Sequence, residues 1–303
     1  MKYKLIVENF RKFIKEEEEK AGYDASQAKS VESLLRSEYS SFVKNLKNKV
    51  ESDPKFQNFL QMGLEKYDGS ASDDVVEVEE VDIPVKELYP TQNQIGLADS
   101  LGWTSKNNPS GGGKTAGLSA GAPADVGGRI ITADGTHIVD GHHRWSQVYL
   151  LNPEAAIPAY NFKIGGSGKD ALKLAHLAIA AVDKGVPLQA ADAETDVYAT
   201  KGDPDRIKQI LDNPNVISDN LAKELQKAYE VSSREEVVNK IAENAASLYD
   251  ETKAAAGQGP VRALMPQTGG TDDFGETDPK DKVKAMQQGS VNWNIKGDKA
   301  AKK

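Results

Sequence analysis

The chain has 303 residues, of which 38% are hydrophobic and 28% are charged, and its formal net charge at pH 7 is −8. A composition this polar predicts a modest core beside mobile segments, and the acidic balance argues against non-specific DNA binding, which needs Lys and Arg to contact phosphates. Cysteine is absent, which excludes disulfides, zinc sites with thiolate ligands and every thiol mechanism.

The first predicted elements are helices. Apolar residues at three-and-four spacing predict helical structure over residues 1–68, with a short helix starting at Asp53-Pro54. After the polar linker 69–74, Val76, Val78 and Ile83 predict a strand. A short helix is predicted at Leu97–Leu101, followed by a long Gly-, Ser- and Asn-rich loop at Thr104–Gly128.

Strands and helices alternate in the centre of the chain. Strands are predicted at Arg129–Thr132 and His137–Val139, joined by an Asp134-Gly135 turn, and again at Ile157–Ile164. Helices are predicted at Trp145–Leu151 and Leu172–Val182.

The C-terminal third is predicted to be helical again. Pro204 starts one helix, Asp219 is expected to cap the next, and Ser232-Ser233-Arg234-Glu235 is expected to form a capping box for a third. The predicted organisation is a helical segment over 1–74, a central domain over 75–190, a helical segment over 191–256 and a flexible tail over 257–303.

One strand-to-helix turn concentrates chemically useful side chains: Asp140, Gly141, His142, His143 and Arg144. The first amides of a helix lack internal partners and carry the positive end of the helix dipole, so a phosphate can bind there. Gly141 allows close approach of a ligand, and Arg144 offers a planar charged fork. His142 and His143 can donate to phosphate oxygens or transfer protons near neutral pH. The turn is therefore predicted to bind a nucleotide such as ATP.

Asp140 has three interpretations. At the end of a strand it can act as a general base or as a ligand of Mg²⁺, or it can simply cap the following helix. A zinc site is not expected, because adjacent helical residues point about 100° apart and no His or Cys pair at metal spacing supplies further ligands.

At this turn the chain resembles the ParB/sulfiredoxin superfamily, whose free-standing members often carry Asp-Gly-His-His-Arg. The segment Ile83–Gln92 is similar to the opening strand of that family, and Ile157–Tyr160 to the strand after the motif helix. The resemblance covers about residues 75–185. It implies an α+β fold, with a small mixed-sheet domain flanked by N- and C-terminal helical segments.

The resemblance also limits the activity. Sulfiredoxin chemistry needs a cysteine in the turn, and chromosome-partitioning ParB needs an acidic residue and consecutive Arg after the Gly. What the resemblance implies is therefore ATP hydrolysis or DNA cleavage with Mg²⁺. In that interpretation Asp140, His142 and His143 are catalytic, and the phosphate ligands are Gly141, Arg144 and the two histidines. The alternatives are a kinase for a serine-like metabolite and a non-catalytic phage or virion protein. For the kinase, Gln92 stands where a Glu base is expected, and Glu87 is the nearest carboxylate.

Two further positions carry weaker signals. Lys114 lies in a Gly-rich stretch without the strand that a P-loop needs, so it either swings onto phosphates from a lid or belongs to a linker. His176, in an apolar helix, is expected to be packed or half-exposed rather than to be a ligand.

The segment Met1–Phe13 is similar to leaders of tailed-phage proteins, which would make head proteins a partner, or it is an ordinary amphipathic helix. With no signal peptide or bilayer-length apolar run, we expect a soluble protein without a membrane partner, in the cytoplasm of a host cell or packaged in a virion.

Overall fold

A computed structural model describes residues 25–62, 78–93, 95–107, 117, 123–164, 168–182, 185, 186, 188, 204–256 and 260–267. The chain forms two compact units, each assembled from segments that are distant in sequence. The first unit contains residues 1–79, 162–191 and 262–303, and the second contains residues 80–161 and 192–261. The four consecutive segments expected from the sequence stay a prediction.

The first unit is helical where it is described. Its helices are α1 (Ala25–Arg36), α2 (Tyr39–Ser52), α3 (Pro54–Met62) and α6 (Gly168–Val182). Helix α6 packs against α2 and α3, and α1 packs against both of those helices. The buried side chains that hold them together include Val31, Leu35, Phe42, Leu46, Phe56, Leu172 and Leu177. A short 3₁₀ helix, Arg262–Leu264, also belongs to this unit.

The second unit is built around a five-stranded mixed sheet in the order β1-β5-β3-β4-β2. The strands are β1 (Val78–Pro84), β2 (Tyr89–Pro90), β3 (Ile130–Ala133), β4 (His137–Asp140) and β5 (Ala156–Phe162). Only the outermost residues of β1 and β5, Val78, Glu79 and Phe162, fall beyond the bounds of this unit. Strands β3 and β4 pair antiparallel, whereas β2 pairs parallel to β4 with Pro90 opposite Ile138. The carboxyl ends of β2 and β4 therefore lie at the same edge of the sheet.

Helices cover this sheet. They are α4 (Leu97–Asn107), α5 (His142–Leu151), α7 (Pro204–Asp212), α8 (Asp219–Tyr229) and α9 (Arg234–Ala256). Helix α5 packs against α4 and α9, and a single core joins these elements. Its members include Ile83, Leu88, Trp145, Tyr149, Leu225, Ile241 and Leu248. The predicted α+β class with a mixed sheet and flanking helices is confirmed.

Two helix starts differ from their prediction. Ser218, not Asp219, caps α8, and its hydroxyl accepts from the amide of Leu221 at 3.3 Å. The capping box of α9 is shifted by one residue: Ser233 accepts from the amide of Glu236 at 3.2 Å, and the Glu236 carboxylate accepts from the Ser233 amide at 2.9 Å. In both cases two neighbouring residues could cap the helix, so the sequence did not fix the position of the cap to better than one residue.

Candidate functional site

The predicted turn forms where β4 ends and α5 begins. Gly141 precedes the helix with φ of +95°, in the left-handed region. A Cβ atom at this position would lie 2.5 Å from Cγ2 of Ile130, which no side chain tolerates. Both the conformation and the close packing require glycine here. The first hydrogen bond within the helix runs from the amide of Trp145 to the carbonyl of Gly141 at 2.9 Å.

The start of α5 has the features of an anion site. Gly141 offers no side-chain cap, and the first turn contains no acidic residue. The remainder of the helix is fixed in the core, where the indole of Trp145 donates to the carbonyl of Val85 at 2.8 Å. The positive end of the helix dipole is thus held in a fixed place without a carboxylate from its own first turn to neutralise it.

Arg144 is held at two points beside the turn. Its guanidinium donates to the carbonyl of Arg129 at 2.8 Å and pairs with the Asp140 carboxylate at 3.4 Å. About a third of the Arg144 side chain, 34%, is exposed. The backbone of Gly128 lies beside the guanidinium, and a Cβ at this position would be in ordinary contact with it at 3.5 Å. The charge of Arg144 is oriented and still reachable from solvent.

His142 is buried, and its ring connects two strand ends. Its Nε2 accepts from the amide of Thr91 at 3.1 Å. Thr91 follows β2 directly, and its hydroxyl donates to the carbonyl of Ile138 in β4 at 2.6 Å. The parallel pairing of β2 with β4 produces this arrangement. Thr91 was not predicted to belong to the site, because no pattern in the sequence places it opposite His142.

His143 faces α4. Its Nδ1 lies 3.4 Å from the hydroxyl of Ser100, which lies 2.7 Å from the hydroxyl of Ser146 and donates to the carbonyl of Gly96 at 2.8 Å. Ser100 and Ser146 are both buried. Neither serine was predicted to belong to the site, because both sit at ordinary helical positions in the sequence.

The sequence also indicated Lys114 as a phosphate ligand, and Gln92 and Glu87 as the positions to examine for the kinase alternative. Lys114 lies outside the described residues. Gln92 is buried two residues after β2, and Glu87 is exposed on the 3₁₀ helix Val85–Glu87. Among the described residues there is no group of three His, Asp or Glu side chains that could hold a metal ion by themselves.

His176 lies in the first unit and is packed, as expected. Its Nε2 lies 2.9 Å from the hydroxyl of Tyr39 and 3.1 Å from the carbonyl of Leu264. Complete burial lowers the pKa of His176 to about 4, so the ring is neutral at physiological pH.

Comparison with known proteins gave no match to a family model, a curated protein or a solved structure. In the described parts of the chain, no helix combines the length and the apolar character that crossing a membrane requires.

Proposed function

We propose that the chain binds the phosphates of a nucleotide at the turn Asp140–Arg144 and performs phosphoryl chemistry, as ATP hydrolysis, DNA phosphodiester cleavage or both. The observation that carries this proposal is the start of α5, where a glycine without a side-chain cap precedes a first turn that has no acidic residue. An anion is stabilised there by the helix dipole and the first amides. The resemblance to the ParB/sulfiredoxin superfamily at these residues supports the same site.

Arg144 supplies the charge for this site. In the free protein its guanidinium is shared between the carbonyl of Arg129 and the carboxylate of Asp140. A phosphate in front of the helix can replace the 3.4 Å contact with Asp140 by a shorter charge-assisted bond. Such bonds contribute roughly 1.5–3 kcal/mol each, so two or three suffice for micromolar affinity.

Asp140 is proposed as the general base or as a holder of Mg²⁺. Its carboxylate is 27% exposed, and Arg144 lies on one side of it. Mg²⁺ commonly takes one or two protein carboxylates together with substrate phosphates. The donor set fits a metal that arrives with the nucleotide, because Asp140 would need phosphate oxygens and water to complete the coordination. Bound there, the ion would neutralise charge on the phosphates.

The enzymatic test uses radiolabelled ATP incubated alone, with plasmid DNA and with serine. Released phosphate or cut plasmid supports the proposal. Transfer of label to serine would identify the kinase instead, with Glu87 as the carboxylate to examine. Saturable ATP binding without turnover would favour a non-catalytic phage or virion protein, and absence of binding would overturn the nucleotide site.

The biological setting is part of the same proposal. We place the protein in the cytoplasm of a phage-infected host or inside the virion, on the similarity of Met1–Phe13 to phage leaders. These residues lie outside the described part of the chain. In such leaders an Ile- or Leu-x-Glu pattern marks the cleavage site, and Ile6-Val7-Glu8 matches it. Incubation with a phage head protease, followed by N-terminal sequencing, tests this: cleavage after Glu8 supports it, and an intact N-terminus contradicts it.

A further inference from the structure

A short segment near the C-terminus, residues 262–267, packs on the helices of the first unit, and we call it the strap. One of its carbonyls, that of Leu264, meets two buried side chains. It accepts from the hydroxyl of Tyr39 on α2 at 3.0 Å and lies 3.1 Å from Nε2 of His176 on α6. The two contacts join positions that are 225 and 88 residues apart. The strap therefore ties a late part of the chain to both helices.

The direction of the histidine contact is defined, because a carbonyl oxygen can only accept. Nε2 of His176 therefore carries the proton of the neutral ring and donates to Leu264. Nδ1 is then an acceptor, and it is buried without a hydrogen-bond partner. An additional proton binds at Nδ1, where the positive charge has neither water nor an acceptor to stabilise it. Acid thus leaves the bond to Leu264 in place and acts against the burial of the ring.

The nearby titratable groups on α2 and α6 favour the neutral ring. Burial raises the pKa of Tyr39, so its phenol stays uncharged. The ammonium group of Lys173 on α6 lies 5.8 Å from the centre of the Phe42 ring, and that ring lies 6.1 Å from the ring of His176. A cation on this side disfavours a second positive charge.

The other charged groups on these elements act elsewhere or in the same direction. Asp170 of α6 and Glu38, which precedes α2, interact with Lys173. Lys55 of α3 is exposed, and Arg262 adds a further cation on the strap. Burial is the main cause that lowers the pKa of His176 to about 4, and the bond to the Leu264 carbonyl acts against it.

The strap is the smallest of the described elements that contact this ring. It contains one 3₁₀ turn, in which the amide of Met265 donates to the carbonyl of Arg262 at 2.9 Å, and a β-bridge from Pro266 to Leu188. Helices α2 and α6 are 14 and 15 residues long and pack in the core of the unit. Small elements open at a lower free energy than core helices. Opening of the strap is therefore the least costly way to bring the charged ring to water.

We propose that residues 262–267 form a strap that acid opens while α2 and α6 stay folded. The neutral ring of His176 holds the strap closed, and its protonated form is stable only when the strap is open. This device goes beyond the proposed nucleotide site and does not depend on it.

The experiment is amide hydrogen exchange in the full-length protein, followed by NMR at pH 7 and pH 5. The amide of Met265 reports on the strap, and the amides of Leu46 in α2 and Leu177 in α6 report on the helices. After correction for the intrinsic effect of pH on exchange, opening of the strap should increase about 20-fold from pH 7 to pH 5, because the open state binds the proton more tightly. The two helix amides should keep their protection.

His176→Gln tests the ring directly. A neutral side-chain amide can still donate to the carbonyl of Leu264, but it does not take up a proton in this range. The strap should therefore open to the same extent at both pH values. Tyr39→Phe removes the other donor to Leu264, so it should increase opening at both pH values and preserve the dependence on acid.

Tyr229→Phe is the matched control, because its hydroxyl also donates to a backbone carbonyl, that of Leu151, at 2.6 Å in the second unit. Its loss should leave the exchange of Met265 unchanged. Equal opening at both pH values in the unmodified protein would overturn the inference, as would helix amides that exchange together with Met265. Neither result needs a variant, so the inference stays testable if His176→Gln does not fold. Acid-driven opening that persists in folded His176→Gln would also overturn it.

Discussion

Gly141 and Ile130 are packed so closely that a Cβ added to the glycine would lie 2.5 Å from Cγ2 of Ile130. Gly141→Ala should therefore destabilise the fold for two reasons: a Cβ is disfavoured in the left-handed backbone conformation, and it would clash with Ile130. We expect a loss of about 2–5 kcal/mol in the free energy of unfolding, from roughly 1–2 for the backbone and 1–3 for overpacking.

Gly135→Ala separates the two effects. Gly135 has φ of +69° but no atom within 4 Å of an added Cβ. Urea denaturation should show the backbone cost alone, about 1–2 kcal/mol. Equal losses for the two variants would mean that the turn relaxes away from Ile130 at little cost.

Arg144→Ala should lower nucleotide affinity by about tenfold or more, because a charge-assisted contact with phosphate is lost. Arg144→Lys should restore part of it, since an ammonium group cannot bridge two oxygens as a guanidinium does. Isothermal titration calorimetry measures both.

Arg234→Ala is the control for this variant. Arg234 also stands at a helix start, pairs with a carboxylate of Asp219 at 3.2 Å and donates to the carbonyl of Ile217 at 2.6 Å. Its removal should leave the affinity unchanged. Unaltered binding in Arg144→Ala would remove this residue from the site.

Asp140→Asn should abolish turnover while nucleotide binding is kept or becomes slightly tighter. Asn preserves the shape but lacks the negative charge that a base or a Mg²⁺ ligand needs. Losing a carboxylate 3.4 Å from the Arg144 guanidinium also frees that cation for phosphate. Phosphate release and calorimetry give the two quantities. Hydrolysis at the original rate would leave Asp140 with a structural role and make Glu87 or a histidine of the turn the next candidate for the base.

His176 should make folding sensitive to acid. Its pKa is about 4 in the folded chain against an ordinary 6.5, so the unfolded chain binds more protons between these values. Its contribution is therefore intact above pH 6.5 and lost as the pH falls towards 4, on the order of 3 kcal/mol in total. His176→Gln should flatten the dependence of the unfolding free energy on pH across this window.

The half-buried His137 serves as a comparison, because His137→Gln leaves the His176 titration in place. Denaturation curves from pH 4 to 7 should keep their slope in that variant. A similar slope in His176→Gln would assign the acid sensitivity to other groups.

Sequence pattern was sufficient for the elements that carry the turn. Strand β3, the Asp134-Gly135 turn and β4 form as predicted, because alternating apolar residues around an Asp-Gly pair favour a hairpin. The change from strand to helix at Gly141 was also predicted, but the contacts of His142 with Thr91 and of His143 with Ser100 could not be foreseen.

The contacts that organise the site could not be predicted in the same way. Thr91 and His142 are 51 positions apart, and Ser100 and His143 are 43 apart. They meet only because β2 joins β4 in parallel and α4 packs on α5. The spacing of apolar residues predicts which face of a helix or strand is buried. Which other helix or strand packs against that face depends on the topology of the whole fold.

The two-residue strand β2 has a further consequence for how the protein behaves at high concentration. It is one edge strand of the described sheet, and one of its two residues, Pro90, has no amide hydrogen to donate. The other edge strand, β1, carries Glu79, Glu80 and Asp82 and ends at Pro84. Edge strands that are short, charged or contain proline pair poorly with a strand of another chain. Both edges of the described sheet are therefore protected against the intermolecular strand pairing that leads to aggregation.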